Sequence, residues 1–133
     1  MIEKWHEIVK SRDLAGLAEL IADDAVLHSP VIHRQIQGKQ MVQMYLTAAF
    51  HTFLNDTFTY ITEAHASPES GQKVVLEFTT EINGLFVNGI DMITFNDEGK
   101  IIEFKVMVRP FKALQLINEH MMAMLEKLGM KFG

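Results

Sequence analysis

The sequence predicts an α+β domain with its helices first and a β-meander after them. Three observations carry this reading. Apolar residues recur at helical spacing in the first part of the chain, the period shortens to two from about residue 56, and Asn83-Gly84 sits between two alternating runs as a tight hairpin turn. Runs of helix followed by runs of strand, in place of strict alternation, argue against a parallel α/β sheet.

Residues 2–11 place Ile2, Trp5, Ile8 and Val9 on one helical stripe. Asp13 is the expected N-cap of a second short helix, with Leu14, Leu17, Leu20 and Ile21 inward and Asp23-Asp24 at its end. The stretch AVLHSPVIHRQ (25–35) reads as two short extended pieces interrupted by Pro30. Gly38 then opens a third helix, on which Val42, Tyr45, Leu46, Ala49, Phe50 and Phe53 share a face. Four strands follow: DTFTYITEAHA (56–66), KVVLEFTTEI (73–82), LFVNGIDMITF (85–95) and KIIEFKVMVR (100–109). SPESG (67–71), Asn83-Gly84 and NDEG (96–99) connect them with strong turn chemistry. After Pro110, residues 111–129 form an amphipathic helix carrying Phe111, Leu114, Ile117, Met121, Leu125 and Leu128 inward.

At 133 residues the chain fits a single domain, 1–133, with no repeat, linker or low-complexity tract. Its hydrophobic content of 48% and charged content of 22% suit a folded globular protein. A net charge of -5, with Lys and Arg scattered, argues against nucleic acid or an anionic membrane as partner. The absence of Cys excludes thiol chemistry and disulfides. With no signal-peptide pattern and no apolar run near the ~20 residues that span a bilayer, a cytoplasmic location is expected.

The Asn83-Gly84 turn lets strand faces be counted. A two-residue turn pairs Ile82 with Leu85, Thr80 with Val87, Phe78 with Gly89 and Leu76 with Asp91. One face then holds Val74, Leu76, Phe78, Thr80 and Ile82 beside Leu85, Val87, Gly89, Asp91, Ile93 and Phe95, and is the inner one. The other mixes Val75, Phe86, Ile90 and Met92 with Lys73, Glu77, Glu81 and Asn88. In the last strand Ile102, Phe104, Val106 and Val108 are expected inward, unless a bulge at Gly99 shifts the parity. Burying Glu103 and Lys105 unpaired would cost several kcal/mol, which sets the choice.

Asp91 stands out as the single carboxylate on this apolar face. It must be paired, wetted by a cavity, or held neutral by a raised pKa. A group so perturbed is a candidate functional acid. The alternative is purely structural, with the Trp5 indole N–H or a backbone N–H satisfying it.

Two N-terminal helices, ADDAV followed by a strand and Pro30, a helix beginning at Gly38-Lys39, and GIDMITFNDEGKIIEFKVMVRP (89–110) together resemble the nuclear transport factor 2-like superfamily. The likeness is nearest to its SnoaL-like polyketide-cyclase branch and its ketosteroid-isomerase relatives. It implies a curved, mostly antiparallel sheet wrapped by helices into a cone that opens at one end to small molecules. Ketosteroid isomerases place a Tyr on the first helix, an Asp base before a Pro, and an acid on a late strand. The matching positions here are Trp5, Ser29 and Asp91, so the acid is kept and the base is not. A serine hydroxyl cannot shuttle protons at neutral pH without activation.

His28 flanks that base position and has a suitable ordinary pKa, but the sequence names no partner to orient it. The candidate catalytic residues are therefore Asp91 and His28. Trp5, Ser29, Tyr45, Phe104, Val106 and Val108 are the candidate pocket walls. Six histidines are present, but no HExxH or facial-triad spacing joins them, and neither metal nor cofactor is expected. Two functions stay open. One is a cyclase, isomerase or dehydratase acting on a largely apolar carbonyl compound. The other is a non-catalytic module for hydrophobic-ligand binding or dimerisation. The mixed outer face, and the habit of the superfamily, imply a homodimer through the outer sheet.

Overall fold

The computed structural model describes residues 2–66 and 72–129. In chain order its elements are α1 (Ile2–Ser11), α2 (Leu14–Leu20), β1 (Ile21–His28), β2 (Ile36–Gln37), α3 (Lys39–Phe53), β3 (Thr59–His65), β4 (Gln72–Ile82), β5 (Leu85–Phe95), β6 (Ile101–Arg109) and α4 (Phe111–Lys127). The expected turn at SPESG lies outside the described residues. No helix among them is long and apolar enough to cross a membrane.

The helical stripe of α1 buries Ile2, Trp5 and Ile8. Asp13 caps α2 as expected, its Oδ1 accepting from the Gly16 N–H at 3.0 Å. Leu17 and Leu20 are buried, but Leu14, in the first turn, is exposed. The helix also stops earlier than its pattern suggests. Ile21 already has extended backbone (φ -86, ψ 128) and pairs with Ile101 of β6. Asp23-Asp24 therefore lie inside β1, exposed, where the pairing with β6 is irregular. A β-branched residue offered a sheet partner is more stable there than in a last helical turn. Beyond Pro30 residues 31–35 are exposed and form no strand, and the second extended piece is confined to the two residues of β2.

The sheet has the order β2-β1-β6-β5-β4-β3. β1 runs parallel to β6, and every other neighbouring pair is antiparallel. Asn83 (φ 52) and Gly84 (φ 78) both take the left-handed conformation that a tight hairpin turn requires. The counted register is found: Ile82 opposes Leu85, Phe78 opposes Gly89 and Leu76 opposes Asp91.

β6 needs one correction. Phe104, Val106 and Val108 oppose Ile93, Asp91 and Gly89 on the inner face, but Ile102 is skipped between the pairs Glu103–Thr94 and Ile101–Phe95. Ile101, fully buried, takes the inner place expected of Ile102. The bulge is at the start of β6 and not at Gly99, which closes the NDEG turn beneath the Asn96 Oδ1, itself an acceptor for the Glu98 and Lys100 N–H groups.

Helices cover one face of the sheet. The larger apolar cluster joins α1, α2 and α3 to the inner residues of β1, β4, β5 and β6; a second gathers Phe53, Phe78, Ile82, Val87, Ala113 and Ile117. α4 buries Ala113, Ile117 and Leu125, whereas Phe111, expected inward, is 71% exposed, and Leu128 is exposed as well.

Gly89 is where this packing is tightest. A Cβ there would lie 2.5 Å from the Phe78 ring and 2.6 Å from the Met107 carbonyl oxygen, a backbone atom of the neighbouring strand. Gly89→Ala is expected to lower stability by about 1–3 kcal/mol, the usual scale of overpacking. Chemical denaturation of the two proteins measures it, and an unchanged midpoint would refute this account of the contact.

Candidate functional site

Between the helices and the inner face of the sheet lies a cavity of about 310 Å³. That is the low end of the ~300–1,000 Å³ usual for small-molecule pockets. Its walls are mostly apolar. The sheet contributes Leu27, Phe78, Phe104 and Val106, and the helices contribute Trp5, Tyr45, Phe50 and Met121. Trp5 lies tilted against Phe104, with ring centroids 5.1 Å apart, and edge-on to Phe50 at 5.8 Å. Offset and edge contacts of this kind hold aromatic walls in fixed orientation.

Asp91 also lines this cavity and is 7% exposed. The Tyr60 hydroxyl donates to its Oδ2 at 2.7 Å, and the Trp5 indole N–H donates to the Tyr60 oxygen at 3.1 Å. The structural partner anticipated for Asp91 is thus not Trp5 itself but Tyr60, with Trp5 one step behind. Among the described residues Oδ1 takes part in no hydrogen bond. Burial lifts the Asp91 carboxyl from 3.8 to about 7, against the downward pull of the Tyr60 hydrogen bond. Tyr60 is pushed well above its ordinary value, first by burial and then by the Asp91 charge and hydrogen bond, while Trp5 opposes. It therefore stays a neutral donor. Near neutral pH Asp91 exchanges between an acid that can donate from the cavity wall and a carboxylate that can accept there.

Three elements bring these groups together. The hairpin parity turns Asp91 inward on β5. The α1 stripe brings Trp5 over it. Tyr60 opposes Phe78 on the inner face of β4, next to Phe58, whose ring stacks on Phe78. His6 and Glu63, 2.7 Å apart at the surface, tie α1 to β3 nearby. Tyr60 is the residue that sequence reasoning missed. Its signal was faint: Phe58 and Tyr60 share a parity, but β3 bulges at Ile61, and after it the exposed Thr62 opposes Glu77.

Of the sequence-derived pocket residues, Trp5, Ser29, Tyr45, Phe104 and Val106 line the same cavity as Asp91. Val108 does not. It lies one inner position further along β6 and packs against the second apolar cluster. The Ser29 hydroxyl accepts from the Val31 N–H at 3.2 Å, and among the described residues no basic side chain is hydrogen-bonded to it. His28 does not meet Asp91 either, because it alternates with the cavity-lining Leu27 and stands on the opposite face. There its Nε2 is 3.1 Å from Glu103 Oε2, the partner the sequence could not name. Burial tends to raise Glu103, but the His28 hydrogen bond and the charge of Lys73 outweigh it and hold the carboxyl below its ordinary value. Among the described residues, no group of three or more His, Cys, Asp or Glu side chains could hold a metal ion.

Comparison with known proteins adds to this geometry. The family model of the SnoaL-like domain matches residues 2–104. A steroid delta-isomerase from Pseudomonas aeruginosa is 38% identical, superposes with a TM-score of 0.86, and aligns over 96% of this chain and 90% of its own. An uncharacterised bacterial protein with a cystatin-like fold from Silicibacter pomeroyi is 27% identical over 92% of this chain and 82% of its own, with a TM-score of 0.80. The epoxide hydrolase/cyclase-like enzyme SalBIII, with a role in pyran ring formation in polyether salinomycin, is 18% identical over 81% and 86% of the two chains, with a TM-score of 0.62, and shows the fold alone. No functionally curated protein matches the chain. With residues 2–104 matched by the family model and a relative 38% identical over 96% of its length, the chain belongs to the SnoaL-like domain family of the nuclear transport factor 2-like fold.

Proposed function

We propose that the cavity takes a largely apolar carbonyl compound and that Asp91, in its protonated form, is the acid that hydrogen-bonds the carbonyl oxygen. The observation that carries this reading is a buried carboxyl in an apolar cavity, with one oxygen held by Tyr60 and the other without a partner among the described residues. A carboxylic acid kept neutral by its surroundings can stabilise charge developing on a carbonyl oxygen, because a donor held in an apolar wall acts more strongly than one in water. That electrostatic role is shared by isomerase, cyclase and dehydratase chemistry. The similarity to a protein named steroid delta-isomerase supports the isomerase type among them.

A second reading, a binding module without turnover, is favoured by one specific feature. Among the described residues lining the cavity, Asp91 is the one carboxylate and there is no histidine. Ser29, at the position where related isomerases place a base, is hydrogen-bonded to no basic side chain among the described residues. In either reading the ligand meets the same donor.

Dimerisation through the outer sheet is part of the proposal. Phe86 is 58% and Met107 51% exposed on that face. Met107 opposes Ile90, and Met92 opposes Val75, so the apolar residues are contiguous across three strands. An exposed apolar patch of this kind suits pairing with a second copy about a twofold axis.

The pH dependence follows from the position of Asp91. The unfolded carboxyl ionises near 3.8 and the folded one near 7, so between these values the folded state holds the extra proton. Stability contributed by the neutral form is fully present below pH 4 and is lost as pH rises through 7. Asp91→Asn, whose amide oxygen still accepts from Tyr60, is expected to unfold at a higher temperature than the wild type at pH 8. The gap should amount to a few kcal/mol at ~1.4 kcal/mol per pKa unit, and should close toward pH 4. Binding of a neutral cyclic or bicyclic ketone, followed by calorimetry, should weaken above pH 7 as the donor proton leaves. A carboxyl carbon resonance for Asp91 that titrates near 4 would remove the acid from the site.

Phe86→Glu with Met107→Lys is expected to convert a dimer to a monomer at micromolar concentration by light scattering. A wild-type monomer at that concentration would refute the interface.

A further inference from the structure

The cavity has a second polar end, and it is basic. Arg34 lies in the exposed segment between β1 and β2 and lines the cavity. So do Val31 and Ile32 of the same segment and Asn118 of α4. All four are exposed, whereas Asp91 is buried, so they stand at the opening and Asp91 at the interior. Among the described residues lining the cavity Arg34 is the one cationic side chain, and no ion pair or hydrogen bond to a described residue engages its guanidinium. The protein as a whole carries a charge of -5, which repels anions in general. A permanent cation left unpaired on the rim of an apolar cavity locally reverses that field.

We propose that the ligand is an amphipathic oxo acid, with its carbonyl at Asp91, its apolar body along the aromatic walls and its carboxylate at Arg34. The anion is assigned as singly charged because one guanidinium fork matches one carboxylate, and no second cation lines the opening for a dianionic phosphate. Asn118, whose amide has no partner among the described residues, offers one more donor among the exposed residues that line the cavity. This assignment rests on the carbonyl reading of the cavity and adds the chemistry of the ligand's other end.

The test uses oxo acids with a terminal methyl ketone and eight to twelve carbons, each paired with its own methyl ester. Affinities are read by displacement of the neutral probe N-phenyl-1-naphthylamine. At low salt each acid is expected to bind about fivefold tighter than its ester, the scale of a partly exposed charge pair, and the preference should shrink as salt is added. Arg34→Gln should bring the acid-to-ester ratio near one, and Arg34→Glu should invert it. Lys105→Gln, which removes the same charge from the outer face, should leave the ratio as in the wild type. Equal affinities for acid and ester in the wild type, or a preference that survives Arg34→Gln, would overturn the proposal while leaving the carbonyl reading intact. Failure of both acid and ester to bind would reject the carbonyl reading and this assignment together.

Discussion

The two-residue turn at Asn83-Gly84 is the constraint on which the site depends. Because side chains alternate along a strand, a slip of one residue between β4 and β5 would turn Asp91 to the outer face and bring Ile90 and Met92 into the interior. Both central residues adopt positive φ, so the turn cannot lengthen or shorten without losing the geometry that matches the twist of the strands. The apolar inner set then locks the same register from the other side: Val74, Leu76, Phe78, Val87 and Ile93 are all buried in it. Asp91 is carried inward by residues that bury favourably, since its own burial does not.

An ionised carboxylate in that position is expensive, and the molecule limits the expense in two ways. Tyr60 gives one strong hydrogen bond, and Trp5 completes the chain by occupying the phenol oxygen. The second oxygen faces a cavity instead of packed side chains, so the group trades charge for a proton near neutrality. The chain Trp5–Tyr60–Asp91 joins α1, β3 and β5, elements that have no common neighbour in sequence. It therefore fixes one side of the cavity as well as satisfying the acid. A fully paired Asp91 would be a better core residue and a poorer donor.

What could be read from the residues and what could not divide along a physical line. The β4–β5 hairpin was legible because a tight turn and a period of two allow counting, and counting placed Asp91 without reference to any distant contact. The α1 stripe was legible for the same reason, so Trp5 was placed correctly. Tyr60 was not, because its position depends on how β3 aligns with β4 across a longer connection and on a bulge at Ile61 that no local signal announces. Ile102 failed in the same way: the skipped residue in β6 has the same chemistry as its neighbour Ile101, and pattern alone cannot choose between them. The end of α2 was misjudged because LAELIADDA has helical spacing, while Ile21 answers to a strand 80 positions away. His28 fell on the wrong face for the candidate site by the alternation of β1 itself, a parity that could be counted only once Leu27 was known to face inward.

The proton inventory of the cavity bears on which chemistry the proposed carbonyl ligand could undergo. Tyr60 is held neutral, and Asp91 is the lone carboxyl among the described residues lining the cavity, lifted by burial to about 7. A reaction that needs a base on one face of the substrate and an acid on the other at the same moment asks for two such groups. A reaction that needs only a polarised carbonyl, such as closure of a ring by a nucleophile already present in the substrate, asks for one. The lone acid thus favours chemistry in which the ligand brings its own base or nucleophile, and orientation by the aromatic walls becomes the larger share of any rate gain. A ligand anchored at both ends would meet that demand for orientation better than one held at the carbonyl alone.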